Sequence, residues 1–550
     1  MKTHDSYRLH FTPLSPVHIG TGESYEPTNY VIDADAVLHE FDTGGVMAAL
    51  DERDRRQLLA IAGGRSGAGM IKDLQRFFHE RQARLIDEAV NRIPVLPGIA
   101  RLYADRIGQT AQREEGGREQ INQLEIDRCA YHSITRKPVL FGSSLKGAIR
   151  TALLDRLNGG QRAQEPKGLH EFQGRLFHYL NQHGKPTDLE RDPLRLLQLS
   201  DAGWQDAPDV PAAQVYLAVN RKKAPVRDRE GREVRAMGEN LSRFRECVPG
   251  WAFRAFAGQL NLQDTTAAGE RAKLPDFRFD LADIANACNA FYRPILDRER
   301  QALQARGFLD TAWAEAIEVL LHHADSRLQQ GRAFLLRVGR HSGAESVTVN
   351  GVRKIRIMKG KGQPPEQAAE AKTWWLAAGD KDQRAGLLPF GWVLAEVSSA
   401  DDELPAWPEL EALCQPRREA MRTFIDRERD RQGERLQRQA QRQAEAEAAR
   451  RNAEATAAQA VAEAARQASL SENQKQLEAV LARLTPANRG RGPGDQLYNR
   501  IRELLLAGVD WDLADRQSLQ LAAVEVFEHL GITKDNKSRK ALLRALGLTP

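Results

Sequence analysis

Residues 417–469 constrain this chain more than any other stretch. They run through Arg, Glu, Gln and Ala, as in "ERLQRQAQRQAEAEAARRNAEATAAQA". These residues favour helix. Large apolar side chains are too sparse among them for the a/d seam of a stable coiled coil. The segment is therefore a long solvated helix, and the folded cores must lie on either side of it. Residues 401–470 form this charged helix and linker. Beyond it apolar spacing returns in "GDQLYNRIRELLLAGVDW", "QSLQLAAVEVFEHLGI" and "SRKALLRALGL", which predict a small helical domain over 471–550.

The first 400 residues mix both periodicities. "YRLHFTPLSPVHI" alternates as a strand, "GTGESYEP" is a glycine loop, and "NYVIDADAVLHEFD" predicts one or two short strands. Helical spacing follows over 47–61 and 70–90, with "GGRSGAG" as the linker between. "KPVLFGSSLKGAIRTALLDRL" reads as strand, turn and helix, and "LRLLQLSDAGW" and "AAQVYLAVNRK" as buried strands. Two amphipathic helices are expected in "FDLADIANACNAFYRPILDRERQAL" and "TAWAEAIEVLLHHADSRLQQ". The stretch 331–362 predicts strand, glycine loop, strand, a tight turn at Asn350-Gly351 and a further strand. "LPFGWVLAEV" supplies the last strand.

Net charge is only +5, from 80 Lys and Arg against 75 Asp and Glu. What matters is where the cations cluster. Residues 220–245 carry nine cations against four anions, and residues 331–362 carry eight against one. Cys129, Cys247, Cys288 and Cys414 are too far apart in sequence for a zinc ribbon or a redox CxxC pair, and they fit a reducing compartment. The opening "MKTHDSYRLHF" lacks a signal core, and no apolar run approaches the ~18 residues of a membrane span. A soluble cytoplasmic protein without a membrane partner is expected.

The turn Gly142–Arg150 has the makings of an anion site. A helix N-terminus presents unpaired N–H groups and partial positive charge. Ser143 and Ser144 can cap it or donate to an anion, Gly142 and Gly147 permit close approach, and Lys146 and Arg150 share one helix face. The Walker spacing is absent, which disfavours nucleotide hydrolysis. An ordinary capped helix with solvated cations has the same pattern. The basic 331–362 segment places Arg337, Gly339, Arg340, His341, Arg353, Lys354, Arg356 and Lys359 where cations on paired strands could track a phosphate backbone. A charged edge strand is the alternative. Arg221 and Lys222 open the basic 220–245 segment, which reads equally as a solvated loop or as one that orders on a ligand.

Taken together, "LSPVHIGTGESYEPTNYVID", "FGSSLKGAIRTALL", "LQLSDAGW", "LLRVGRHSGAES" and "LPFGWVLAEV" resemble the RAMP superfamily. Their order and spacing are similar to the capping subunits of Csm-type, type III-A CRISPR effector complexes, over about the first 400 residues. The resemblance implies an α+β fold of tandem ferredoxin-like, RRM-related units with helical insertions, divided as 1–215 and 216–400. It implies a non-catalytic RNA-binding subunit that holds the 3′ region of a CRISPR RNA and assists its maturation in antiviral defence. The partners implied are CRISPR RNA, other Csm subunits (especially the adjacent backbone RAMP subunit) and host trimming nucleases. The resemblance does not cover the long helix and the helical domain after it; a separate reading of that tail, over 401–550, has it contact a neighbouring subunit or recruit a nuclease.

On that reading the residues named above are RNA contacts, and charge reversal at Lys146 or Arg337 weakens binding across sequences. No catalytic residue, metal or cofactor is expected. The runner-up is a RAMP ribonuclease, either metal-dependent through Asp33 and Asp35 on one strand face or metal-free through His18 as general base. His322-His323 read more simply as partial core and surface of an amphipathic helix, and Trp374-Trp375 as packing.

Overall fold

The computed structural model describes residues 4–547 apart from 27, 65–67, 110, 114–118, 122–123, 162–167, 206–209, 266–273 and 359–361. It divides into two units, Met1–Gly433 and Glu434–Pro550.

The first unit is built on two mainly antiparallel sheets. The seven-stranded one runs Ala333–Arg337, Trp392–Ser399, His4–Pro13, Phe256–Gln263, Ala202–Trp204 and Val139–Leu140, with Leu197–Leu199 also paired to Phe256–Gln263. The six-stranded one runs Leu388–Pro389, Thr373–Ala378, Gln214–Lys222, Ser242–Cys247, Ile126–Cys129 and Gly20–Tyr25. Its one parallel pairing joins Ser242–Cys247 to Ile126–Cys129. The position 215 lies inside the strand Gln214–Lys222, within the first unit.

Alternation explains why His4–Pro13 is central: Leu9 and Phe11 point into the core, while neighbours pair on both edges. Helices Gly142–Asn158, Leu281–Ala305 and Thr311–Gln329 pack beside this sheet. The second begins with a capping box of Asp280 and Asp283, and the third with an Asp310 cap on the Trp313 N–H. The Trp313 indole then donates to the Leu14 carbonyl at 2.7 Å, which ties that helix to the end of the first strand.

Several local expectations change. Asp33 and Asp35 lie in the turn between Tyr30–Ile32 and Val37–Glu40, not on a strand face. The stretch 338–354 is not a strand pair. Gly339, His341 and Gly343 have φ of 82°, 67° and 79°, which a ladder cannot contain, and a 3-10 turn follows at Ala344–Val347. After Arg337, Ile355–Ile357 forms the next strand among the described residues, and its partner is Glu366–Ala368.

The basic 220–245 segment is divided. Its ends are the strands Gln214–Lys222 and Ser242–Cys247, and several cations between them are paired, Arg232 with Asp228 and Arg235 with Asp382. The long helix is Pro408–Ser469 and begins earlier than the composition indicates. The C-terminal unit adds a helix, Glu472–Leu481, to the three expected, which are Gln496–Ala507, Leu513–His529 and Lys537–Ala545. All four cysteines are buried thiols. No helix of the described residues is long and apolar enough to cross a membrane.

Candidate nucleic-acid interface

The helix Gly142–Asn158 starts as predicted, but its N-terminus already holds an anion. The Gly142 N–H donates to the Asp201 carboxylate at 2.7 Å. A Cβ at Gly142 would lie 2.5 Å from the Leu199 carbonyl oxygen, so glycine is required for this close approach. Neither Ser143 nor Ser144 caps the helix.

Lys146 and Arg150 do share a face, but it is packed on the protein rather than open to a ligand. Lys146 Nζ donates to the Leu197 carbonyl at 2.7 Å, and burial lowers its pKa. Arg150 pairs with Asp192 at 2.9 Å, donates to Gln173 and lies over Phe177. The helix buries residues around more than one side, including Leu145, Ala148, Ile149, Ala152 and Leu153. Its long cations therefore lie against neighbouring segments. Ser143 and Gly147 remain exposed.

Three further arginines predicted as RNA contacts are structural. Arg337 is 4 % exposed. Its guanidinium pairs with Glu299 at 2.9 Å, donates to the Phe390 carbonyl and lies 4.8 Å from the Trp392 ring centroid. Arg221 is 1 % exposed, and backbone carbonyls of Asn220, Glu239, Lys381 and Gln383 accept its N–H groups. Arg353 clamps its own loop through Thr348, Glu345 and Asn350. Lys222 is half-buried, while Lys354 and Arg356 are exposed. Lys359 lies outside the described residues.

The glycine loop has a different use. A Cβ on Gly339 would stand 2.4 Å from the His18 carbonyl oxygen, and the Arg340 N–H donates to that same oxygen at 2.7 Å. This contact turns the exposed Arg340 side chain away from the core beside the half-buried His341. The His341 ring lies against Trp375, with centroids 5.0 Å apart and planes 32° apart, and against Phe390 at 5.3 Å. Its Nε2 accepts from Arg245 Nε at 3.2 Å, which puts the ring proton on Nδ1. Burial, then Arg245, His18 and Arg340, pushes the His341 pKa down to about 3, so the ring is neutral.

Strand alternation extends this cluster across one sheet face. Arg245 lies opposite Tyr216, Arg243 opposite Ala218, and Asn220 opposite Trp375. Arg245 is also paired with Asp127 on the neighbouring strand. Arg243 and Arg340 are exposed and form no ion pair among the described residues. The result is an aromatic step, Trp375 with His341, with the exposed Arg243 on a strand and the exposed Arg340 in the glycine loop. Sequence reading took Trp375 for packing and counted Arg243 only as part of a loop. The alternation of "SRFREC" was the available signal.

The two predicted motifs, almost 200 residues apart in sequence, do meet. Tyr292 Oη lies 3.1 Å from the Ala148 carbonyl and 3.4 Å from that of Ser346. Asp155 accepts from both the backbone and side-chain N–H groups of Asn350, and Asn158 donates to the Asn350 carbonyl at 2.7 Å. The turn at Asn350-Gly351 is thus a dock onto the helix rather than a hairpin tip.

The residues considered for cleavage are committed elsewhere. His18 is 1 % exposed and its Nδ1 is bonded to the Glu246 carbonyl at 2.6 Å. Burial, partly offset by that bond, lowers its pKa to about 4, and Arg245 and Arg340 add to the lowering. Asp33 accepts from the Val37 N–H and pairs with His39 at 2.7 Å. Burial raises its pKa, but these bonds outweigh it and hold the group low. Asp35 is exposed near Arg427. Among the described residues no group of three His, Cys, Asp or Glu could hold a metal ion. His322 and His323 are both exposed.

Glu246, beside His18, makes a pH prediction. It is buried, accepts from Tyr25 Oη at 3.0 Å and from the Cys129 N–H at 2.9 Å, and burial raises its pKa to about 7. The folded state therefore holds a proton that the unfolded state releases above ~4.5. Its contribution to stability falls as pH rises from about 4.5 to about 7. The unfolding midpoint of wild type, measured against Glu246→Gln over pH 5 to 8, is expected to decline relative to the variant. A constant difference would refute the assignment.

A model of the RAMP superfamily matches residues 10–279. No curated protein matches the sequence. Among solved structures, a chain of a Csm–crRNA–target RNA ternary complex of a type III-A CRISPR–Cas system is 18 % identical. That match covers 72 % of this chain and all of that one, with a TM-score of 0.41. Csm5 of T. onnurineus is 17 % identical over 70 % of this chain and 99 % of its own, with a TM-score of 0.40. With the family match running from the first strand through the GSSLKG helix and past the strand Phe256–Gln263, residues 10–279 of this chain belong to the RAMP superfamily.

Proposed function

We propose that the chain is a non-catalytic RNA-binding subunit of a type III-A CRISPR effector complex, which caps the 3′ region of the CRISPR RNA and assists its maturation. The observation that carries the reading is the sheet face itself. Arg340 and Arg243 are open to solvent, and the half-buried Trp375 and a neutral His341 on the same sheet face offer ring surface for a base. Sheet-borne aromatics bind single strands because every base has a π-face, and arginines neutralise the backbone. Strand pairing fixes Arg243 and Trp375 within one sheet, and the bond from the Arg340 N–H to the His18 carbonyl holds the loop that carries Arg340 and His341.

In this reading the two sheets are ferredoxin-like halves, and the cytoplasmic partners are CRISPR RNA, the adjacent backbone subunit and trimming nucleases. The burial of His18 and the engagement of Asp33 in a turn favour holding RNA over cutting it. The test is co-purification with neighbouring effector subunits and CRISPR RNA, followed by crosslinking. Crosslinks from the 3′ segment of the RNA to peptides spanning 338–345 and 373–378 are expected. Absence of bound RNA, or crosslinks only at the 5′ end, would overturn the proposal. Cleavage that is lost in His18→Ala would establish the nuclease instead.

A further inference from the structure

Within the unit Glu434–Pro550, cations gather on two segments that are separate in sequence and joined in space. Residues 483–502 carry Arg483, Arg489, Arg491, Arg500 and Arg502 against Asp495 alone. Residues 529–545 carry five Lys and Arg against Asp535 alone. The Gly490 N–H donates to the His529 carbonyl and the Gly492 N–H to the Leu530 carbonyl, each at 2.9 Å. The unit's other acids lie on the long helix, on Glu472–Leu481 and over residues 503–528.

The first segment frames an open cleft of about 710 Å³, lined by Arg483, Arg491 and Arg500 with the polar groups of Thr485, Asn488 and Gln496. Arg483 and Arg489 are exposed and form no ion pair among the described residues. The backbone beside them is bare. Gly490 and Gly492 have φ of 73° and 72°, and a Cβ on either would meet nothing within 4 Å. A strand could therefore approach the chain closely there.

A protein partner would need an apolar centre to dock on. The unit's exposed large apolar side chains are Leu506, Val509, Leu513 and Leu521, and none lines the cleft. Exposed guanidinium groups, open glycines and polar donors are instead what a chain of phosphodiesters requires.

We infer that this cleft binds a nucleic-acid backbone, as a second contact independent of the sheet face in the first unit. The helical extension is then a nucleic-acid-binding module.

The test uses full-length protein carrying Arg483→Glu, Arg489→Glu and Arg491→Glu together. It is made in wild type and in an Arg243→Glu/Arg340→Glu background. Binding of a labelled unstructured RNA strand and of a labelled DNA duplex is followed by anisotropy across salt concentrations. In the double-Glu background the triple change is expected to weaken at least one probe by ~10-fold or more and to lower the salt slope by about 2. Loss for RNA alone assigns a single strand to the cleft, and loss for DNA alone assigns a duplex.

Unchanged affinity and slope for both probes would overturn the inference, whatever protein contacts are lost. The corresponding Arg→Gln triple gives the same reading if the Glu variant fails to fold. If the cleft variant loses binding while Arg243→Glu/Arg340→Glu does not, the cleft stands and the sheet-face proposal falls.

Discussion

Arg337→Ala is expected to destabilise the first unit by about 3–5 kcal/mol and to leave the RNA affinity of the folded protein within about twofold of wild type. Sequence reading made Arg337 a phosphate contact, and the structure makes it a keystone. Its charge is buried against Glu299, which also accepts from the Trp392 indole at 3.0 Å. Removing the guanidinium leaves that carboxylate unpaired inside the protein and vacates the face of Trp392. Most of the loss comes from the stranded acid rather than from the pair's own attraction.

A second substitution separates the two. Arg337→Met with Glu299→Leu removes both charges together and should recover much of the stability, because the pair's desolvation cost disappears with it. Chemical unfolding, monitored separately for the two units, provides the measurement. A folded Arg337→Ala protein with wild-type stability and lost RNA affinity would return this residue to the interface.

What the sequence made legible follows from the range of each physical signal. Periodicity is local, so the helices at Gly142–Asn158, Leu281–Ala305 and Thr311–Gln329 and the strand His4–Pro13 could be read directly. The "GSSLKGAIR" turn was located correctly, but its chemistry was not. Charge spacing shows that Lys146 and Arg150 share a face without showing what lies against it. Leu197 and Asp192, some forty to fifty residues further on, settle that.

The same limit explains the loop after Arg337. Glycines at 339 and 343 announced a bend. Only the His18 carbonyl, brought in from beyond the first strand's end, explains why Gly339 cannot carry a side chain and why Arg340 points outward. Counting cations gave the stretch 331–362 its importance, yet Arg337 and Arg353 are consumed by the fold. The sheet-face cluster draws Arg243, His341 and Trp375 from three separate segments, and no window of sequence contains it.

That cluster carries the largest expected effect on binding. Arg243→Glu/Arg340→Glu should weaken single-stranded RNA at least ~10-fold and lower the salt slope by about 1.4, because each lost phosphate contact removes ~0.7 on a single strand. Melting should be unchanged, since both side chains are exposed and form no ion pair among the described residues.

Trp375→Ala tests the other half of the interface. A stacked base is worth about 1–3 kcal/mol, and stacking carries little salt dependence. This variant should therefore lose ~5- to 150-fold in affinity at constant slope. The contrast between the two variants is the diagnostic. Charge at Arg243 and Arg340 sets the slope, and the aromatic step beside His341 sets the intercept. If Trp375→Ala binds RNA as wild type does while Arg243→Glu/Arg340→Glu does not, the face grips phosphate alone. If both bind normally, RNA lies elsewhere on the molecule.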